Sequence, residues 1–438
     1  MDMFGGLKRT SSRITIATAL GLTLGVYAMH ASPAKAADFG GDCCADLEER
    51  VAELEATTVR KGNKKVSVTI SGWVVKTINV WDDGDVSNFV VGDKDADLAS
   101  RFAITGEAQI SPGWSAGYNL TVTAPADVFG IGSNQIVDDV NGGINTLYSY
   151  MYIKSDKWGT LNWGTLSPAT DNVAVLADAS GTVIESNAVF FEGAGFFLRN
   201  NAGLSNLTWG SFLQCATLSG AGIGADCNGA PYDAVRYDSP TIAGFHLEAS
   251  FGEDDKGDIA VFYAGDWGNI QVNAAYGYTH TTPSQVGFAP NADANLHQAG
   301  ATIMHVPSGI GLYGLYQYEE MSISGPITDS NVWYLKPFVK TDWTPLGATT
   351  FYGEYGNYED QAFSLGNANL CTAANPCNLT GSEVDRWGAG VVQEIDAAAM
   401  HVFARWQHQS IDLDTTGPAA TPSFDDWDLY QVGGVIFF

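Results

Sequence analysis

From Ile270 to Thr279 the chain alternates without a break. Ile270, Val272, Ala274, Tyr276 and Tyr278 fall on one face, and Gln271, Asn273, Ala275, Gly277 and Thr279 on the other. A period of two belongs to a strand and excludes an amphipathic helix. Similar alternation runs through Val66 to Val80, Arg101 to Ile110, Phe245 to Phe251, Ile310 to Tyr318 and Met400 to Gln407. A half-buried soluble sandwich alternates too. Here the apolar faces end in Tyr, Trp or Phe, as they do where a sheet crosses both interfaces of a bilayer. The 50 Gly, 18 Tyr, 12 Trp and 21 Phe suit short strands joined by turns.

Connection lengths then set strand number and direction. Seven tight connections fall at Ser111-Pro112-Gly113, Ser155-Asp156-Lys157, Pro240 to Gly244, Asp266-Trp267-Gly268, Pro307-Ser308-Gly309, Pro345-Leu346-Gly347 and Ile395-Asp396. Longer polar segments lie near residues 81–97, 124–145, 166–231, 252–257, 281–296, 321–330, 360–382 and 411–426. Seven turns and eight loops join about sixteen antiparallel strands, an even number with both chain ends on one side. The expected fold is all-β: a 16-stranded transmembrane barrel, wide enough for an aqueous lumen.

The chain ends agree with this reading. Lys8, Arg9 and Arg13 precede the mostly apolar run Ile14 to Met29, and Ala34-Lys35-Ala36 offers a small-x-small cleavage site. Residues 1–36 are expected to be a signal peptide, because the run is short of the ~20 apolar residues of a spanning helix. Residues 37–65 would form a periplasmic segment and residues 66–438 the barrel. Without the leader's four basic and one acidic residues, the 21 basic and 49 acidic residues become 17 and 48, a net charge of −31. That argues against nucleic acid and suits solvated outer loops. At the other end, Asp428 to Phe438 reads as a strand that stops on an aromatic. Outer-membrane barrels resemble one another there, and Gln431, Gly433, Ile436 and Phe438 match their pattern. In those proteins the stretch is the signal read by the barrel-assembly machinery.

Several separated stretches resemble the alphaproteobacterial porin family. They are Gly41 to Thr58 with Arg60-Lys61-Gly62-Asn63 and Val66 to Gly72, then Trp81-Asp82-Asp83-Gly84, Val235 to Pro240 with Ala243-Gly244-Phe245, His305 to Gly309, and Val391 to Ala399. The resemblance implies a homotrimeric general-diffusion porin of the Gram-negative outer membrane, set among lipid and lipopolysaccharide. It further implies a third outer loop folded inward to narrow the pore for small hydrophilic solutes.

Within the amino-terminal segment, Cys44, Leu47, Val51, Leu54 and Thr58 follow the three-four spacing of a short coiled-coil seam. Fewer than three heptads are marginal alone, so such a helix needs an assembly to hold it. Contact with the cell wall and a disordered spacer are the other readings. The loop 166–231 is too long for a plain connection and is the natural constriction. Asp171, Asp178, Glu185 and Glu192 would form its acidic wall, facing Arg101, Arg236, Lys336, Lys340, Arg386 and Arg405 from the polar strand faces. Opposed in water, the two walls would create a field that favours polar solutes.

Cys215 with Cys227 and Cys371 with Cys377 each suit a local bridge in an oxidising compartment. The adjacent Cys43 and Cys44 leave links between protomers and free thiols both open. No cysteine pair has zinc spacing, and the acidic clusters Asp82 to Asp85 and Glu253 to Asp255 lack the ligand spacing of an EF-hand, so no metal or other cofactor is expected. With neither a Gly-x-Ser-x-Gly elbow nor a phosphate-binding Gly-rich loop, the chain reads as a channel and not an enzyme. The alternatives are a channel specific for a sugar, organic acid or similar solute, and a structural or adhesive barrel. A specific lumen would show rows of inward aromatics, whereas Trp73, Tyr313 and Phe403 are inward but scattered. Lys76 breaks an outward apolar face and is unexplained apart from burial between protomers.

Overall fold

The computed structural model describes residues 65–438 apart from 96–97, 125–128, 131–132, 138–142, 190, 216–223, 226 and 283–292. The signal peptide, the seam Leu47, Val51 and Leu54, and Cys43 and Cys44 lie outside the described residues. So does most of the segment 37–65.

Backbone amides in hydrocarbon must find partners within the chain, which leaves strands only one option, a closed ring. The strands are β1 (Ser67–Asp82), β2 (Ser87–Gly92), β3 (Arg101–Ser111), β4 (Trp114–Thr123), β5 (Asn145–Ser155) and β6 (Gly159–Leu166). A small hairpin, β7 (Phe197–Asn200) with β8 (Gly203–Thr208), sits apart within the long loop. The wall continues with β9 (Tyr232–Asp238), β10 (Phe245–Gly252), β11 (Gly257–Trp267), β12 (Ile270–Thr281), β13 (Ala294–His305) and β14 (Ile310–Met321). It ends with β15 (Asp329–Thr344), β16 (Gly347–Glu359), β17 (Asn378–Ile395), β18 (Met400–Thr416) and β19 (Trp427–Phe437). Neighbours pair antiparallel throughout, and β19 returns to β1 from Trp73↔Phe437 to Asp82↔Asp428. Phe438 completes the seam: its N–H donates to the Gly72 carbonyl at 3.0 Å, and its carbonyl accepts from Gly72 N–H at 2.9 Å.

Seventeen strands fill sixteen positions, because β2 and β3 share one. β1 pairs with β2 through Thr77 to Asp82 and with β3 through Ser67 to Trp73. This corrects the expected long loop at 81–97. The chain turns tightly at residues 83–86, and Phe89 and Val91 resume the outward apolar face at once. The excess length falls lower, between Gly92, the partner of Thr77, and Arg101, the partner of Trp73, so that only Val74, Val75 and Lys76 separate the two pairings on β1. Ser100 replaces the missing ladder there, its hydroxyl accepting from Val75 N–H at 3.1 Å and donating to the Val75 carbonyl at 3.3 Å. β17 and β18 also run beyond expectation, to Asn378 and Thr416 at their loop ends.

The two faces separate as the alternation predicts. On β1, Thr77, Asn79 and Trp81 are buried inward while Ile78 and Val80 face out. Exposed Trp114, Trp158, Phe245, Trp267, Trp343 and Phe438 gather near the tight turns, and Phe89, Phe251, Trp333 and Tyr430 nearer the loops. These are the two interfacial belts.

The strand break also accounts for Lys76. Its ammonium pairs with the buried Asp93 carboxylate, which in addition accepts from Ser100 N–H at 2.9 Å. An unpaired lysine at mid-wall costs ~2–4 kcal/mol. Asp93→Asn should therefore lower the temperature at which the unboiled barrel shifts to its unfolded gel mobility, and adding Lys76→Met should restore it. A double variant no better than the single one would show that the pair does not stabilise the wall.

Candidate functional site

The chain between β6 and β9 enters the barrel and follows its inner wall across the strands. At its start, Ala169 N–H donates to Ser250 Oγ at 3.1 Å and to Asp258 at 3.2 Å, and the Thr170 hydroxyl meets that of Thr279 at 2.8 Å. On β13 the wall is thinned for it. A Cβ on Gly300 would stand 2.1 Å from the Ala174 carbonyl oxygen, so any larger residue there would push the loop away. Tyr313 OH donates to the same carbonyl at 2.9 Å, and the Thr302 hydroxyl donates to the Ala177 carbonyl at 2.8 Å.

The loop's carboxylates then meet the wall one after another. Asp178 pairs with Lys336 at 2.5 Å, and Lys336 also donates to Thr182 Oγ1 at 2.9 Å and to the Ser186 carbonyl at 2.7 Å. Glu185 pairs with His401 at 2.8 Å. Glu192 accepts from Arg405 on β18 and, at 2.5 Å, from Lys94 of the strand-break insert. Lys94 also contacts Asp95 at 2.8 Å. Arg386 pairs with Glu354 of the wall at 3.2 Å and donates to the loop's Val189 carbonyl at 3.3 Å. Burial pushes the Glu192 carboxyl up, but the Arg405 and Lys94 cations outweigh that and hold it well below the ordinary range.

The opposed walls expected from sequence are therefore corrected for most of these residues. Asp178, Glu185, Glu192, Lys336, Arg386 and Arg405 are buried, and loop and wall touch instead of facing one another across water. The physical reason is desolvation. A charge pressed against the wall loses its water and is tolerated only with a partner, so a flexible acidic loop settles onto a basic wall. Lys340 is likewise paired, with Glu394 at 2.8 Å, and remains partly exposed.

Open water remains on the other flank. A cavity of about 510 Å³ is bordered by Trp73, Arg101, Asn119, Tyr150, Asn162 and Asp238, among others. A second, of about 570 Å³, is bordered by Asp171, His246, Glu248 and Phe262, among others. Arg101, Tyr148, Ser167 and Arg236 border both, so the two chambers meet at these residues. Arg236 is flanked by Asp238 at 2.6 Å and Glu248 at 2.9 Å, and the Arg101 guanidinium lies over the Trp73 ring, 4.5 Å from its centroid. Asp171 is placed beside this junction. Burial raises its carboxyl to about 6, with Ser167, Asn172 and the nearby Arg236 opposing the rise.

The chain that builds this sixteen-position barrel with its inward loop is matched by the sequence model of the Gram-negative porin over residues 17–400. The chain belongs to that family. It is a passive channel of the outer membrane. Solved structures share the fold: OprB of Pseudomonas putida (9% identity, 90% of this chain and 97% of that one, TM-score 0.52), the outer-membrane channel DcaP of Acinetobacter baumannii (11%, 86% and 99%, 0.51), and Salmonella typhi OmpF in complex with daunomycin (12%, 85% and 99%, 0.50). Among curated proteins no sequence matches this porin.

Cys215 is joined to Cys227, and Cys371 to Cys377. The first bridge is buried, and the adjacent Gly224 carbonyl accepts from Gln361 at 2.7 Å and from Gln317 at 3.2 Å, fastening the loop's far end. Gln431 accepts from Arg405 Nε at 2.8 Å and donates to Asn79 at 2.7 Å. A Cβ on Gly433 would lie 2.7 Å from the Phe403 ring, while Ile436 and Phe438 face out.

Sequence reasoning missed Lys94, Glu354, Asp238 and Glu248. Strand parity was enough to place the last three inward, had carboxylates been read on strands as cations were. It also missed a row. Tyr148, Tyr150 and Tyr152 pair across β4 with Thr121, Asn119 and Gly117 on the lumen side, so the inward aromatics of the porin are not merely scattered.

Glu192→Gln would leave Lys94 and Arg405 sharing a dry site without the carboxylate between them, a loss of ~3–5 kcal/mol in anchoring. The expected result in planar bilayers is a noisier open current and closure at lower voltage, with unboiled gel mobility unchanged. An unaltered closing voltage would show that this clamp does not hold the loop.

Proposed function

We propose that small hydrophilic solutes and ions diffuse through this porin along an off-centre passage, between the inward loop and the inner faces of β1, β3 to β6 and β9 to β11. The observation that carries this reading is the sharing of Arg101, Tyr148, Ser167 and Arg236 by two chambers. In this reading Asp171 is the loop carboxylate that acts on passing ions. Asp178, Glu185 and Glu192 serve as anchors, as do Lys336, Arg386 and Arg405 opposite them. Two cations, Arg101 and Arg236, and three carboxylates, Asp171, Asp238 and Glu248, then border the passage. A modest cation preference follows.

Wall height supports a homotrimer. A strand tilted across hydrocarbon needs ~9–11 residues, yet β6, β9 and β10 have 8, 7 and 8, whereas β15 to β18 have 13 to 18. A wall too low for lipid is suited to burial against other protomers. The stretches quoted for the alphaproteobacterial porins support that subfamily. Under this reading residues 1–36 direct export, residues 37–65 form a periplasmic segment that joins protomers through Leu47, Val51 and Leu54, and the closing strand is read by the assembly machinery. Lipopolysaccharide would surround the loop-side belt. A solute-specific lumen is the second reading, and the tyrosine row favours it.

The sign of the pH effect follows from Asp171. Below about pH 6 it is neutral and the passage loses one negative charge, so cation preference should fall as pH drops from 7.5 to 5. Reversal potential in a tenfold KCl gradient reads this directly. Asp171→Asn should lower cation preference at pH 7.5 and lessen the further fall toward pH 5, and an unchanged reversal potential in this variant would remove Asp171 from the passage.

A further inference from the structure

Along β5, Tyr148, Tyr150 and Tyr152 present their rings to the lumen at alternate positions, a spacing of ~6.6 Å along the strand. The chamber of about 510 Å³ is bordered by two of them and by Trp73 on β1. The third is held at the tight-turn end, where Tyr152 OH donates to Glu107 at 2.9 Å. Beside the rings stand planar hydrogen-bonding groups. Asn162 donates to Asp238 at 2.9 Å, Arg236 Nε donates to the other oxygen of that carboxylate at 2.6 Å, and Asn119 borders the same space. The aliphatic floor is Ala103 and Leu166.

Each component has a chemical counterpart. Aromatic faces attract the weakly polarised C–H face of a sugar ring, and amides, carboxylates and guanidinium groups at their edges exchange donors and acceptors with its hydroxyls. Charge favours a neutral ligand over an anion, since Arg236 is already flanked by Asp238 and Glu248. A simple anion would gain nothing from the ring faces, which carry partial negative charge.

We propose that this chamber is a weak saccharide subsite, in which a pyranose ring stacks on Tyr148 and Tyr150 while its hydroxyls bond to Asn119, Asn162, Asp238 and Arg236. The proposal rests on the channel reading and names a solute class for it. Weakness is part of the function, because a transport site must release what it binds. Stacking slows a sugar in the passage, raises its local concentration and favours it over an open-chain polyol of equal size.

The test uses the full purified protein in planar bilayers, with glucose, maltose and sucrose as probes and sorbitol and benzoate as controls. Block is expressed as a fraction of each variant's own open current. The expected result is half-block at millimolar maltose, block by sorbitol at least tenfold weaker than by glucose, its equal in size, and a tenfold or greater rise in the half-blocking concentration for Tyr148→Ala, Tyr150→Ala and the double variant. Tyr148→Phe, which keeps the ring, should retain most of the block. Three results would overturn the subsite: sorbitol matching glucose, alanine variants blocked like the wild type, or benzoate blocking more strongly than any sugar. A protein that passes no ions at all would instead overturn the channel reading beneath it.

Discussion

Closure of the sheet is the condition on which everything else stands. Strands that cross hydrocarbon must satisfy their own amides, and a sheet can do so there only without edges. The seam between β1 and β19 meets that condition down to the last residue, where Phe438 and Gly72 exchange both hydrogen bonds. Even the interruption between β2 and β3 obeys it. One serine hydroxyl takes the place of a strand at Val75, and the outward lysine next to the gap brings its counter-charge from the inserted residues.

The lumen solves a second desolvation problem. A loop of more than sixty residues is pressed into a ring of side chains, and every charge it carries there must keep its water or find a partner. Thinned positions such as Gly300 let the backbone approach, and Lys336, Arg386, His401 and Arg405 then receive it in succession. Lys94 reaches Glu192 from the other side, out of the strand break, so one structural irregularity supplies the clasp of another. What is left unfilled, around Arg101 and Arg236, are the two chambers through which the passage is proposed to run.

Much of this was legible because it is local. Parity along Ile270 to Thr279 and along Met400 to Gln407 assigns faces correctly, since a strand's side chains have only two directions to take. Turn chemistry at Ser111-Pro112-Gly113 or Pro307-Ser308-Gly309 fixes where the strands end. Parity gives a side but not a depth, and that is why Arg386 and Arg101 read alike in sequence although one is sealed under the loop and the other borders water. Partnerships across 98 positions, as between Lys94 and Glu192, leave no periodic trace. Residues 81–97 misled for a different reason: six aspartates in that stretch signal a loop, and the short strand hidden among them shows only Phe89, Val90 and Val91.

An off-centre passage of the kind proposed would divide the outer, loop-bearing surface into two kinds of ground. The segments 360–377 and 417–426 rise over strands that the inward loop has already sealed, whereas the short link 253–256 stands over strands that face the open chamber. Sequence drift, antibody pressure or phage attachment on the sealed flank can reshape the outer contour without altering what passes through. The open flank has no such latitude, and evolutionary variation in related chains should divide along that line.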